Sequence, residues 1–241
     1  MTALVIALSA FSFLFGGGDA DSCAAEGRHA QAVVERIRTE WPLRGSGDPV
    51  SVYVQELGER LARRAGVTSR SHWQFYVVRN LAPNAFALGG GHFVVNDGLF
   101  TLVRDESELA AVLAHEMSHD LAGHFCRKDS SDSETFSVGS LTQHFDPAAE
   151  SQADAMAVGL LTDAGFDPGA MEEVLRCIAR SASPSSRAAL QVRIDILARR
   201  GARAGHSVVP DSRDFREARR EVMSDLPGTS GGPGPSRHPC N

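Results

Sequence analysis

The chain has 241 residues, room for one full domain and too little for two well-formed ones. Hydrophobic residues are 42%, enough for a real core and too many for a disordered chain. A formal net charge of −6 and 7% aromatic residues argue against a nucleic-acid partner, which needs a basic face or a stacking platform.

In chain order, Ala3 to Phe15 is a largely apolar run of thirteen followed by Gly16-Gly17-Gly18. It is too short to span a bilayer, which takes roughly 20 residues, and has the length of a signal-peptide core. Residues 1–22 are therefore read as a leader, although Lys and Arg are absent before the run and no clean cleavage site follows it. Ala24 to Trp41 reads as a first helix. Asp48-Pro49 opens a second, an N-cap followed by proline at the first helical position, running to about Ala65. His72 to Arg79 is rich in β-branched and aromatic residues and predicts a strand. Ala85 to Leu88 and His92 to Val95 flank Gly89-Gly90-Gly91 and predict a hairpin.

Helices then resume. Asp105 and Glu108 form a capping-box pattern ahead of an apolar run to about Gly123. Lys128 to Ser140 is polar and serine-rich and reads as a loop. Asp146-Pro147, Asp167-Pro168 and Ser183-Pro184 each open a helix, and a last one covers Asp214 to Met223. The Gly/Pro/Ser-rich residues 226–241 read as a disordered tail, leaving 23–225 as one helix-rich α+β domain with a small antiparallel sheet.

The chemistry sits in His115-Glu116-Met117-Ser118-His119, an H-E-x-x-H within the helix after Asp105. Residues four apart share a helix face, with Cβ atoms roughly 5–6 Å apart, so two imidazoles there can reach one Zn²⁺. Glu116 beside them can take a proton from a water at the metal. The flanking Ala110 to Ala114 make the helix apolar nearly all round and hence buried, and buried polar groups need partners. Glu150 and Asp154 lie four apart among alanines. Alone they read as a solvated acidic face near a helix N-terminus. Beside H-E-x-x-H, Glu150 reads as a third ligand, with Asp154 orienting a ligand histidine. His124 and Cys126 follow the same helix. Counted as helix, His124 points about 140° away from His119, which predicts a surface or capping role. Cys126 and Cys177 read either as a disulfide or as two buried thiols.

Four stretches resemble the zinc metallopeptidases of family forty-eight, the group of HtpX, Oma and BepA. They are Asn84 to Leu99, Glu108 to His119, Glu150-Ser151-Gln152-Ala153-Asp154, and Ala164 to Pro168. The resemblance covers roughly residues 50 to 200. It implies a zincin-like fold with an active-site helix, one Zn²⁺ per chain on His115, His119 and Glu150, Glu116 as catalytic base, and Asp154 behind a ligand. It further implies a zinc-dependent endopeptidase acting on unfolded or misassembled proteins of the cell envelope, periplasmic or secreted, with membrane association as a further expectation. The rival reading is a zinc-binding, chaperone-like assembly factor with little peptidase activity. A substrate strand would pair near His92 to Val95, unless that hairpin is purely structural.

Two departures from the family stand out. The 30 residues between His119 and Glu150 make a short connection, which implies a more open cleft. Ser183-Pro184 stands where the family often has His-Pro, and Arg187 and Arg193 remain as alternatives for the missing histidine. His144 is close in sequence to Glu150, without an assigned place.

Overall fold

The computed structural model describes residues 20–64, 73–127, 136–137, 140–141, 145–200 and 209–225. Residues 1–19 of the leader read over 1–22, together with His144 and the tail 226–241, lie outside them, while residues 20–22 open the first helix. Among the described residues, eight helices and a three-stranded sheet form one helix-rich α+β unit. In order, these are α1 (Ala20–Glu40), α2 (Pro49–Arg64), β1 (Gln74–Val78), β2 (Ala85–Gly89), β3 (His92–Asn96), α3 (Leu99–Leu102), α4 (Glu106–Leu121), a 3₁₀ turn (Phe125–Arg127), β4 (Phe136–Ser137), β5 (Ser140–Leu141), α5 (Pro147–Ala164), α6 (Ala170–Ser181), α7 (Pro184–Arg199) and α8 (Arg213–Ser224).

The sheet order is β1-β3-β2. The hairpin pairing β2–β3 is antiparallel as expected, but β1 runs parallel to β3, so the sheet is mixed. This moves the edge. His92 to Val95 lie in the central strand, with both sides already paired, and a substrate strand cannot add there. The open edge beside α4 belongs to β2.

The sheet is buried on both faces, and its side chains alternate accordingly. Val78, Phe86, Leu88 and Val94 pack under α1 against Ala30, Val34, Ile37 and Trp41. Phe75, Val77, Ala87, Phe93 and Val95 turn the other way, into the main core shared with α2, α4, α5 and α6. Three short elements had no sequence-level expectation. α3 is a single turn, and β4 and β5 form a two-residue-per-strand ladder at the end of the region read as a loop, reaching one residue beyond it. Such elements are too short to show a period.

Helix starts follow their caps. The Asp105 side chain accepts from Glu108 N–H, and Asp146 accepts from Ala148 and Ala149 N–H. Glu108 does not complete a capping box on Asp105. It reaches one residue further back, to Arg104 N–H, at 2.6 Å. α6 begins at Ala170 rather than at Pro168, because Asp167 first closes a turn onto Gly169 N–H. Cys126 and Cys177 are each disulfide-bonded. No helix among the described residues is long and apolar enough to cross a membrane.

Candidate metal centre

α4 carries the H-E-x-x-H through the middle of the domain, and α5 lies against it. Ala110, Ala114, Ala153 and Ala157 are fully buried, and their small side chains let the two helices approach closely. That approach brings the α5 carboxylates onto the α4 histidines. Nε2 of His115 and Nε2 of His119 are 3.2 Å apart. Glu150 Oε2 lies 3.6 Å from the first, and Glu150 Oε1 lies 3.6 Å from the second. Among the described residues this is the cluster whose ligand atoms converge, all within 4.8 Å of one another. Ligands about 2.0–2.1 Å from a tetrahedral ion stand roughly 3.3–3.4 Å apart. The two imidazole nitrogens stand close to that edge and each faces its own Glu150 oxygen, so two imidazoles and a carboxylate can close on one ion with a fourth position left for another group.

The surroundings orient each ligand. Asp154 Oδ1 stands 3.0 Å behind His115 Nδ1, though short of hydrogen-bond alignment. Asp154 is itself held by Arg193 of α7, which donates to both carboxylate oxygens at 2.7 Å. The same guanidinium reaches Glu150 Oε2 at 2.7 Å. His119 has its ring stacked on Phe145, with centroids 4.0 Å apart. Glu116 is not part of the converging trio. Its Oε2 accepts from Ala87 N–H of β2 at 3.0 Å, and one turn later Asp120 accepts from Gly91 N–H at 2.6 Å. These two carboxylates fasten α4 to β2 and to the glycine turn that follows it.

Electrostatics separate the two histidines. Burial pushes His115 down, but the Asp154 and Glu150 carboxylates outweigh it and hold the ring at about 9. Burial pushes His119 down to about 3, with the charge on His115 adding to the effect. The metal-free centre thus stores its proton on His115 and leaves His119 neutral. Glu150 and Asp154 lie below the usual carboxylate range: burial opposes this, but for Glu150 the neighbouring His115 and Arg193, and for Asp154 the Arg193 hydrogen bonds and the neighbouring His115, win. Burial lifts Glu116 to about 7, against the pull of His115 and of the Ala87 N–H. A carboxylate near neutrality is suited to take and return a proton.

The sequence-derived residues therefore meet in one place: His115, His119 and Glu150 converge, Glu116 flanks them, and Asp154 stands behind His115. His124 corrects its expectation. It is buried, 6% exposed, with Nδ1 3.0 Å from His119 Nδ1. The helical count fails because the chain leaves α4 through Gly123 at φ +67°, which folds His124 back over the helix end. Ser183 is exposed and only caps α7, accepting from Ser186 N–H. Arg187 ties α6 to α7 through the Ala179 and Ala182 carbonyls, away from the centre. Of the two arginines left open, Arg193 is the one at the site.

The chain is also similar to known proteins. Residues 50–143 match the family described as Peptidase family M48. The chain is 35% identical over 105 residues to the mitochondrial metalloendopeptidase OMA1 of Schizosaccharomyces pombe, covering 43% of this chain and 31% of that protein. It is 30% identical over 185 residues to the beta-barrel assembly-enhancing protease of Escherichia coli K12, covering 64% of this chain and 37% of that protein. It is 40% identical over 68 residues to a protease HtpX homolog of Sulfurovum, covering 27% and 23%. The aligned region thus spans at most 37% of these three relatives.

Proposed function

The chain is related to peptidase family M48, and we propose that it is a zinc-dependent endopeptidase with Glu116 as its base. The convergence of His115, His119 and Glu150 carries this reading. A donor set of two imidazoles and one carboxylate suits Zn²⁺ and is that of hydrolytic rather than closed structural sites. A bound zinc ion supplies Lewis acidity toward a carbonyl oxygen and makes water a nucleophile near neutral pH.

The chain's own residues do the rest. His115, His119 and Glu150 hold the ion. Asp154, locked by Arg193, orients His115. Glu116 swings from Ala87 N–H to accept the proton of the attacking water, then gives it to the leaving peptide nitrogen. That movement frees a main-chain donor on the β2 edge. An extended substrate running along β2 would meet the outward N–H and C=O groups of Ala85 and Ala87 as an added strand. This supports a preference for unfolded segments, which can present such a strand.

The expected location is an oxidising one, the cell envelope or beyond it, because disulfides at Cys126 and Cys177 persist there and not in the cytosol. The beta-barrel assembly-enhancing relatives agree by name, and misassembled envelope proteins are the proposed substrates. The reading is tested by cleavage of unfolded casein. Activity is expected to vanish with a chelator and return with added zinc. Zinc-loaded protein that leaves casein intact would favour the chaperone-like assembly role instead.

A further inference from the structure

The two histidines of the centre have different partners behind them. His115 has a carboxylate, Asp154. His119 has an imidazole: its Nδ1 lies 3.0 Å from Nδ1 of His124. The other ring nitrogen of His124, Nε2, lies 3.3 Å from Oε1 of Gln152 on α5. Phe145 stacks on His119 and leans on His124, with centroids 4.0 and 5.8 Å away, so both rings are held in place.

Hydrogen-bond arithmetic then fixes the protons. Two lone pairs, or two N–H groups, cannot face each other at 3.0 Å, so one Nδ1 donates and the other accepts. The Gln152 oxygen is an acceptor, so His124 Nε2 carries hydrogen. In a neutral ring that leaves His124 Nδ1 bare. His119 must therefore donate from Nδ1, and its Nε2 presents a lone pair toward Glu150 and His115.

We propose that His124 is the positioning residue of His119. By accepting from Nδ1–H it fixes the ring and the tautomer that aim Nε2 at the metal, with Gln152 holding His124 in its own tautomer. The proposal rests on the zinc reading above. It adds that the centre is asymmetric: a neutral partner leaves His119 a poorer electron donor than an imidazole backed by carboxylate, so more positive charge stays on the metal.

The test compares His124→Phe, which keeps a ring against Phe145 but has no acceptor, with His124→Asn, which restores a carbonyl acceptor. Zinc affinity is measured by chelator competition, and the His119 tautomer by two-bond ¹H–¹⁵N correlation in the metal-free protein. His124→Phe is expected to weaken zinc binding about 10–100-fold and to let His119 populate both tautomers. His124→Asn is expected to recover most of both. If His124→Phe does not fold, Gln152→Leu at the exposed end of the relay carries the test, with a smaller affinity loss and the same tautomer mixing. Unchanged affinity and tautomer in the folded variant overturn the proposal. So does an equal loss in His124→Phe and His124→Asn, which marks mere packing. Wild-type protein without zinc, or full zinc retention in His119→Ala, removes the metal-site reading itself and the proposal with it.

Discussion

Zinc binding should expel a proton, and Asp154 should set how many. In the metal-free centre His115 is held at about 9 by Asp154 and Glu150, against its burial. At pH 7.5 such a ring is almost fully protonated, yet it must be neutral to ligate, so binding releases about one proton from it. In Asp154→Asn the carboxylate 3.0 Å from His115 Nδ1 is gone. A ring back at its ordinary value of about 6.5 is only about a tenth protonated at pH 7.5, and release from it falls to roughly 0.1. The sign carries over to stability. The folded value of His115 is raised, so its contribution to the metal-free protein is fully present below about 6.5 and is lost as pH climbs through about 9. Zinc affinity should accordingly rise about tenfold per pH unit up to about 9 in wild type, and level off near 6.5 in Asp154→Asn. Titration calorimetry in buffers of different ionisation enthalpy counts the protons. Equal release by the two proteins would refute the assignment of that proton to the His115–Asp154 pair.

Other substitutions separate ligands from their supports. Glu150→Ala should lower zinc affinity far more than Asp154→Asn, which should cost about 10–100-fold by chelator competition; a Glu150→Ala protein that binds like wild type would point to another third ligand. His115→Ala or His119→Ala should lose the single bound zinc in metal analysis. Arg193→Met leaves buried Asp154 and half-buried Glu150 with protonated His115 as their neighbouring cation, and should lower the stability of the metal-free protein in urea by about 1–3 kcal/mol, with added zinc narrowing the gap. Gly58→Ala on α2 would place a Cβ 2.1 Å from the Phe75 ring, which is stacked on Phe93 and cannot easily retreat. Overpacking of about 1–3 kcal/mol should outweigh the roughly 1 kcal/mol of helix propensity gained, giving a lower melting temperature.

What the sequence made legible was local. The H-E-x-x-H declares one helix face, and Asp146-Pro147 and Gly165 bracket α5, so the side chains that converge from the two helices were readable from spacing and caps. The glycine turn declared the hairpin. What it hid depended on chain reversals and distant pairing. His124 joins the site only because Gly123 ends the helix in a left-handed conformation, which a count of 100° per residue does not anticipate. The Gly at 123, just past the periodic run, was the signal that could have found it. Arg193 lies 39 residues from Asp154 along the chain, on a helix whose outer face is exposed, and no local pattern marks it as a clamp. The parallel pairing of β1 with β3 is likewise a long-range choice. It made β2, rather than β3, the edge beside the active helix.

The central claim is that one ion on His115, His119 and Glu150 works with a base that does not bind it. Glu116→Gln tests both halves in one preparation. Glutamine keeps an oxygen to accept from Ala87 N–H, so the helix should stay fastened to β2 and the fold intact. It cannot take a proton, and a general base is worth about 10²–10⁴-fold. Zinc content and casein cleavage measured together on this variant should give one zinc per chain and a rate at least about 10²-fold below wild type. A zinc-loaded Glu116→Gln that cleaves casein at more than about a tenth of the wild-type rate would contradict the account.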